Sequence, residues 1–333
     1  MKAFIARRYS KVDKLEMVDL PEPVVNDNEV LIQIHAASIN LIDSKLKSGE
    51  FKLILPYKLP LILGHDVAGV VTKTGYKVSR FKVGDEVFAQ PAVLKIGTLA
   101  EYIAINETNV ALKPQNISME EAASIPLVGL TAWQALIEKA NLKKGQKVFI
   151  QAGSGGVGTF AIQLAKHVGA TVATTTSETN FDLVKRLGAD VVIDYKRDDF
   201  ETMLKDYDVV LNSQDTKSLE KSLRILKPNG KVISISGPQD VGFAKQMNTP
   251  WFLKFIMKLL SFGINRKAKR LGVDYSFLFM RANGNQLTEI ASLINNGAIK
   301  PVLDKVFTFE QANEALTYVE AGRTKGKVVV KVK

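Results

Sequence analysis

The chain has 333 residues, 46% apolar and 24% charged, which is the composition of an ordinary globular protein and long for a single hydrophobic core, so two lobes are expected. It has no cysteine, which excludes disulfides, thiolate nucleophiles and sulfur-ligated metals, and it has no apolar run of the roughly 18 residues that a membrane span needs. Its 45 Lys and Arg exceed its 34 Asp and Glu by 11, but the excess is scattered and no nucleic-acid-binding motif accompanies it; the positive field fits an anionic cofactor better than a polynucleotide.

The first residues, MKAFIARRYSKVDKLEMVDLPEP, alternate polar and apolar without a signal-peptide pattern, so cytoplasmic residence is expected. Up to about residue 120 the apolar period is two, in EVLIQIHAASIN (29–40), VAGVVTKTG (67–75), GDEVFAQ (84–90) and LAEYIAI (99–105). Short strands broken by Gly, Pro and Asn predict a compact β-rich lobe. Ser118 and Glu121 then form a capping-box pair that opens a helical stretch, EEAASIPLVGLTAWQALIEKA, interrupted by Pro126.

After Lys144 and Gly145 the period changes. KVFIQA leads into a glycine-rich turn and its helix, and then come TVATTT (171–176), a helix ending near Leu187, VVIDY (191–195), DVVLN (208–212), a helix to Lys227, KVISIS (231–236) and YSFLFM (275–280). Strand and helix in alternation predict a parallel sheet covered on both faces, a doubly wound α/β lobe. A further helix ends near Asn296, and alternation returns in PVLDKVFTF and GKVVVKV, which most simply rejoin the first lobe. The expected domains are therefore 1–120 with 299–333, and 121–298, the second carrying a helical insertion at about 243–272. At the heart of that insertion, WFLKFIMKLLSF (251–262), Lys254, Lys258 and Ser261 make one narrow polar stripe and leave a wide apolar face to be covered. Its own domain, a dimer mate, an apolar substrate beneath a lid, or a membrane surface would each cover it; Trp251 and the following RKAKR suit the last.

The glycine-rich turn is QAGSGGVG (151–158). Gly153, Gly155 and Gly158 form G-x-G-x-x-G after a predicted strand and at the mouth of a predicted helix. That context points to a dinucleotide whose diphosphate rests on the main chain of Gly153, Ser154, Gly155, Gly156 and Val157 at the helix N-terminus. There is no Gly-Lys-Ser/Thr ending, so phosphoryl transfer is not expected. About 20 residues on, where NAD enzymes place an acid for the ribose, stand Thr174, Thr175, Thr176 and Ser177. Neutral hydroxyls accept a 2′-phosphate that an acid repels, so NADPH is expected over NADH, with Glu178 as the counterweight. Tyr195, Lys196 and Arg197 read either as closers of the phosphate pocket or as an exposed turn.

With these pieces in place the chain resembles the medium-chain dehydrogenase/reductase superfamily, and within it the zinc-independent quinone oxidoreductase-like reductases. The resemblance runs through ASINLIDSKLKSG (37–49), LPLILGHDVAGVV (59–71), VGDEVFA (83–89), EEAASIPLVGLTAW (120–133), the glycine turn, LGADVVIDY (187–195) and the final GKVVVKV. It implies a GroES-like β-rich catalytic domain joined to a Rossmann domain, a homodimer, and a small-molecule quinone or enone as substrate. It also implies that Thr131 lies near the nicotinamide and that Asn212 to Gln214 and residues 235–237, Ser236 among them, line the cofactor. Neither nucleic acid nor stable membrane insertion is expected.

Zinc-dependent members bind their metal through Cys, His and Cys. The matching positions here are Asn40, His65 and about Leu127, and the four-cysteine structural lobe is missing, so no zinc is expected. Without a Lewis acid, alcohol oxidation is unattractive, whereas an electron-poor quinone or the β-carbon of an α,β-unsaturated carbonyl accepts hydride readily. The proton then comes from water or from Asn40, Asp43, Lys45 or His65, and Lys45 alternatively stabilises the developing oxyanion. Many quinone reductases of the family have tyrosines at the positions of Lys45 and Phe51, which leaves the acceptor open. Two alternatives stand: an aldehyde or alcohol oxidoreductase of the same superfamily, and a non-catalytic NADP(H)-sensing protein.

Overall fold

In EVLIQIHAASI only Gln33 and His35 are not fully buried, because the strand these residues form, Glu29–Ile39, is central in its sheet and covered on both faces. Asp66–Thr74 pairs with it antiparallel along one edge. Tyr102–Asn106 takes the first half of the other edge, and the tail strand Lys327–Lys331 takes the second half. The computed structural model describes residues 1–247 and 250–333, the Leu253 side chain excepted. The chain falls into two units, residues 1–130 with 281–333 and residues 131–280.

The first unit is the GroES-like one. Its main sheet runs Leu303–Thr308, Lys327–Lys331, Glu29–Ile39, Asp66–Thr74, Glu86–Ala89, Val110–Leu112, and Lys2–Ala6 centres a smaller antiparallel sheet between Glu16–Asp19 and Leu61–Ile62. The register Val328↔Ile39 to Lys331↔Ala36 stitches the last residues of the chain to its first long strand, as the returning alternation predicted. Two helices that the alternation did not announce, Leu41–Ser48 and Ala312–Glu320, lie in this unit.

Its borders fall at 130/131 and 280/281, where 120/121 and 298/299 were expected. The helix Gly284–Asn295 packs on Val110–Leu112, so closely that a Cβ on Gly284 would stand 2.3 Å from the Val110 carbonyl oxygen. Asn116 Nδ2 donates to the Ile294 carbonyl at 2.9 Å. A helix read as the last of the α/β lobe thus belongs to the β-rich unit. The capping box is present, with Glu121 N–H donating to Ser118 Oγ at 3.1 Å and Ser118 N–H to Glu121 Oε2 at 2.9 Å. Pro126 opens a new helix, Pro126–Trp133, at the one position where a missing N–H costs nothing.

The second unit is a six-stranded parallel sheet in the order Val191–Asp194, Thr171–Thr176, Lys147–Ile150, Tyr207–Asn212, Leu226–Ser234, Asp274–Phe277. In the unit's own strand count this is 3-2-1-4-5-6, the Rossmann order, and the reversal beside the first strand sets the ligand position at the carboxyl end of Lys147–Ile150. The last strand stops at Phe277, three residues short of the expected end.

The insertion departs from expectation most. Residues 248 and 249 of the expected 243–272 span lie outside the described residues; the helix Trp251–Arg270 comes after them. Met257, Ser261, Ile264 and Ala268 face inward and are buried, Ser261 giving its hydroxyl proton to the Met257 carbonyl at 2.8 Å. Ser261, expected to share a polar stripe with Lys254 and Lys258, is thus on the packed face, and much of the wide apolar face that had to be covered is exposed. No helix among the described residues is long and apolar enough to cross a membrane.

Candidate active site

Between the strand Lys147–Ile150 and the helix Gly156–Val168 the chain reverses, with Gly153 N–H bonded to the Thr175 carbonyl at 2.9 Å and Gly155 N–H to that of Ala152 at 3.0 Å. The left-handed residue of the turn is Ala152, φ +52°; none of the three motif glycines has a positive φ. Conformation therefore does not demand them, and packing demands only two. A Cβ on Gly153 would stand 2.1 Å from Thr174 Oγ1, and one on Gly158 would stand 2.3 Å from the Ala152 carbonyl oxygen. A Cβ on Gly155 would meet nothing nearer than 3.4 Å. The space beside Gly155 is kept clear for something outside the chain, and the first turn of the helix has no side-chain cap for its N–H groups. A diphosphate fits both observations, since these N–H groups and the helix dipole favour an anion. The main chain of Ser154, Gly155, Gly156 and Val157 would hold it.

The threonines are placed differently from expectation. Thr174 Oγ1 donates to the Ile150 carbonyl at 2.6 Å, Thr175 Oγ1 accepts the Ala152 N–H at 3.2 Å, and Thr176 Oγ1 donates to Ser154 Oγ at 2.9 Å. All three are buried, so they fasten the turn to its neighbouring strand and do not present hydroxyls to a ribose. Ser177 and Asn180 lie closer to the surface, joined through Asn180 Nδ2 at 3.2 Å, and the buried Asn180 Oδ1 has no partner. Glu178 is ion-paired with Arg197 at 3.0 Å, which offsets the acid that counted against a 2′-phosphate. Tyr195 and Lys196 are exposed beside this pair.

Asn212 is wholly buried, donating Nδ2–H to Gln151 Oε1 at 2.7 Å and accepting from Ser234 Oγ at 2.6 Å. Gln151 continues to Ser222 Oγ at 3.0 Å. The network braces the strand ends and engages both the oxygen and the nitrogen of the Asn212 carboxamide. Ser236 donates its hydroxyl to the Gln214 carbonyl at 2.5 Å, and Thr131 is buried in Pro126–Trp133.

In the first unit, Asn40, Asp43, His65, Asp66 and Lys327 form one buried polar cluster. Asp43 sits in the first turn of Leu41–Ser48, where its Oδ2 accepts the Asn40 N–H at 2.8 Å and its Oδ1 lies 2.7 Å from His65 Nδ1 and accepts the Gly64 N–H at 3.1 Å. Asp66 Oδ2 accepts from Ser38 Oγ at 2.6 Å, from Asn40 Nδ2 at 2.7 Å and from Lys327 Nζ at 3.4 Å, while its Oδ1 takes the Leu127 N–H at 2.6 Å. Lys327 Nζ also donates to Asn40 Oδ1 and to the Ile39 carbonyl. Burial pushes the Lys327 ammonium down, and the Asp66 and Asp43 carboxylates push it back up.

Of the four groups proposed for proton transfer, the structure gathers three and separates one. Lys45 follows Asp43 by two helical positions, so its side chain leaves on nearly the opposite face, half-buried. Asn40 is held at both ends of its carboxamide, by an ammonium and by a carboxylate, and Asp43 spends its oxygens on Asn40, Gly64 and His65. His65 Nε2 is the atom of the cluster that takes no partner among the described residues. Two members, Asp66 and Lys327, were not found from sequence, and neither was Tyr57, which lies outside the cluster but feels the Asp43 charge. Lys327 is the first residue of a strand whose pattern reads as an ordinary alternation. Tyr57, 8% exposed and accepting the Leu94 N–H at 3.3 Å, is pushed up to about 12 by burial, with the Asp43 charge adding to the effect.

The metal expectation can be tested on this donor set. The Asn40 oxygen is taken by an ammonium, Leu127 has no ligating side-chain atom and gives its backbone N–H to Asp66, and His65 keeps a single nitrogen. A tetrahedral zinc site needs three protein ligands, and these residues do not supply them.

Comparison with known proteins agrees with both units. Residues 26–115 match the family model for the alcohol dehydrogenase GroES-like domain, and residues 187–330 match that for zinc-binding dehydrogenases. The chain is 37% identical to the 2-methylene-furan-3-one reductase of Solanum lycopersicum, over 99% of this chain and 79% of that protein. It is 35% identical to the chloroplastic NADPH-dependent alkenal/one oxidoreductase of Arabidopsis thaliana, again over 99% and 79%. Among solved structures, the quinone oxidoreductase from Coxiella burnetii superimposes with a TM-score of 0.87 at 31% identity, covering 100% of this chain and 99% of that one.

Proposed function

The chain belongs to the quinone oxidoreductase-like branch of the medium-chain dehydrogenase/reductase superfamily, and on that premise we propose an NADPH-dependent, metal-independent reductase that delivers hydride to a quinone or an α,β-unsaturated carbonyl. The observation that carries this reading is the fate of Asn40. Where a metal-dependent relative has its first ligand, this chain has a carboxamide locked between the Lys327 ammonium and the Asp66 carboxylate. A dehydrogenase without a Lewis acid lacks several kcal/mol of alcoholate stabilisation, whereas an activated alkene or quinone does not need it.

The nicotinamide, bound at the glycine turn, supplies the hydride. Residues 154–157 hold its diphosphate, and Arg197 with Ser177 receives the 2′-phosphate once the phosphate displaces Glu178 from its exposed pair. Such a pair is worth about 0–1 kcal/mol and is easily given up. His65 holds the proton for the developing oxyanion at Nε2, and Asp43 fixes the ring through Nδ1. Asn40, Asp66 and Lys327 are positioning residues. A homodimer is also proposed: among the described residues no strand follows Asp274–Phe277 in the sheet, although the Phe277 N–H is already given to Asp240 Oδ2 at 2.9 Å, so a second copy would meet the remaining edge.

The test is NADPH consumption with phenanthrenequinone or an enal after exhaustive chelation. The rate is expected to survive, and His65→Gln to lower kcat about 100-fold, the scale of one general acid. A rate lost on chelation and restored by zinc would overturn the metal-free reading. For nucleotide choice, Arg197→Ala should weaken NADPH about tenfold, near the worth of one charged hydrogen bond, and leave NADH binding unchanged.

A further inference from the structure

The helix Trp251–Arg270 presents an outward face that the proposed reductase chemistry does not use. Trp251, Phe252, Phe255 and Phe262 are 80%, 49%, 57% and 58% exposed. At the roughly 200 Å² an aromatic side chain carries, these four alone show on the order of 500 Å². Ile256, Leu259 and Leu260, 45–59% exposed, enlarge the patch beyond what an ordinary monomer displays. At 100° per residue, these side chains centre opposite the buried Met257, Ser261, Ile264 and Ala268. They are a continuous outer stripe, not a frayed edge of the core.

The charge on the same helix selects the occupant. It carries Lys254, Lys258, Arg266, Lys267, Lys269 and Arg270 and no acidic residue. Lys254 and Lys258 flank the apolar stripe, and Arg266, Lys269 and Arg270 continue it outward as a basic face through the last turns. Of these, Lys267 alone is ion-paired among the described residues, to Glu220 at 2.5 Å. Two copies packed through this face would bring like charges together without an acid to separate them. An apolar stripe bordered and extended by cations matches a lipid–water interface with anionic headgroups, where Trp and Phe enter the acyl boundary and Lys and Arg meet phosphates.

We propose that this helix is a peripheral docking surface for an anionic membrane, on which it lies parallel to the bilayer plane. The proposal is independent of the redox reading, because no residue of the glycine turn or of the His65 cluster takes part in it.

The experiment is co-flotation of the whole protein with vesicles of phosphatidylcholine alone and of equimolar phosphatidylcholine and phosphatidylserine, with Trp251 emission read in a Trp133→Phe background. The expected result is binding to the anionic vesicles only, weakened by added salt, with Trp251 emission shifted to the blue. Phe255→Asp with Leu259→Asp should reduce binding at least tenfold, and so should Arg266→Glu with Arg270→Glu. Both double variants should keep the parent circular dichroism and the parent NADPH-oxidation rate, which separates a docking defect from misfolding. Equal binding to neutral vesicles, or none to either, would sink the proposal. A parent dimer that Phe255→Asp dissociates, with no vesicle binding, would assign the face to a second copy instead.

Discussion

Lys327 shows what a single buried charge commits a fold to. Its ammonium reaches Asn40 Oδ1, Asp66 Oδ2 and the Ile39 carbonyl from the far end of the chain. Removing it leaves Asp66 as an uncompensated buried carboxylate, so Lys327→Met should destabilise by about 3–5 kcal/mol in urea unfolding. Adding Asp66→Asn should recover part of that loss, and a strictly additive double variant would show that the two groups do not interact. The glycines make a second residue-scale test. Gly158→Ala forces a Cβ to within 2.3 Å of a carbonyl oxygen and should lower stability, by a few kcal/mol for a clash of that kind. Gly155→Ala has room at 3.4 Å and should leave stability unchanged while weakening the dinucleotide. The reverse order would mean that Gly155 is kept for packing. Tyr57 carries a pH dependence: its folded value is raised by burial from 10.0 to about 12. Its contribution to stability is thus complete below about pH 10 and is lost as pH rises toward 12. In an ultraviolet tyrosinate titration, Tyr57→Phe should remove amplitude from the late phase; loss from the early phase would contradict the burial assignment.

At the scale of elements, the helix starts were legible because capping is local chemistry. Ser118→Ala removes one cap hydrogen bond and should cost about 1 kcal/mol in thermal or chemical unfolding. The strands of the second unit were legible for a similar reason, since a run such as TVATTT needs only its own composition to favour a buried strand. What was not legible was which side chain turns which way at a strand end. Thr174 to Thr176 were expected to face a ribose and instead hold the glycine turn, because a neighbouring strand in parallel register brings Ile150 and Ala152 to them. Helix Trp251–Arg270 makes the same point: its apolar width is plain in the sequence, but which stripe packs depends on the Rossmann core that receives Ile264 and Ala268.

For the whole molecule, net charge and ligand binding are the measurable properties. With an excess of 11 positive charges, the association rate with NADPH should fall as salt is raised, and a salt-independent rate would remove the steering argument. NADPH at about a hundred times its dissociation constant should stabilise the protein by ~2.7 kcal/mol, a linkage followed through Trp133 and Trp251. The sequence by itself determined the two-lobe plan, the Rossmann alternation, the return of the tail to the first lobe and the glycine turn, because period, capping and glycine spacing are properties of neighbours in the chain. Only the tertiary structure decided that helix Gly284–Asn295 joins the β-rich unit, that Lys45 stands apart from His65, and that Lys327 holds Asn40. Those outcomes depend on groups up to 287 positions apart meeting in a dry interior, where each buried charge must find its partner.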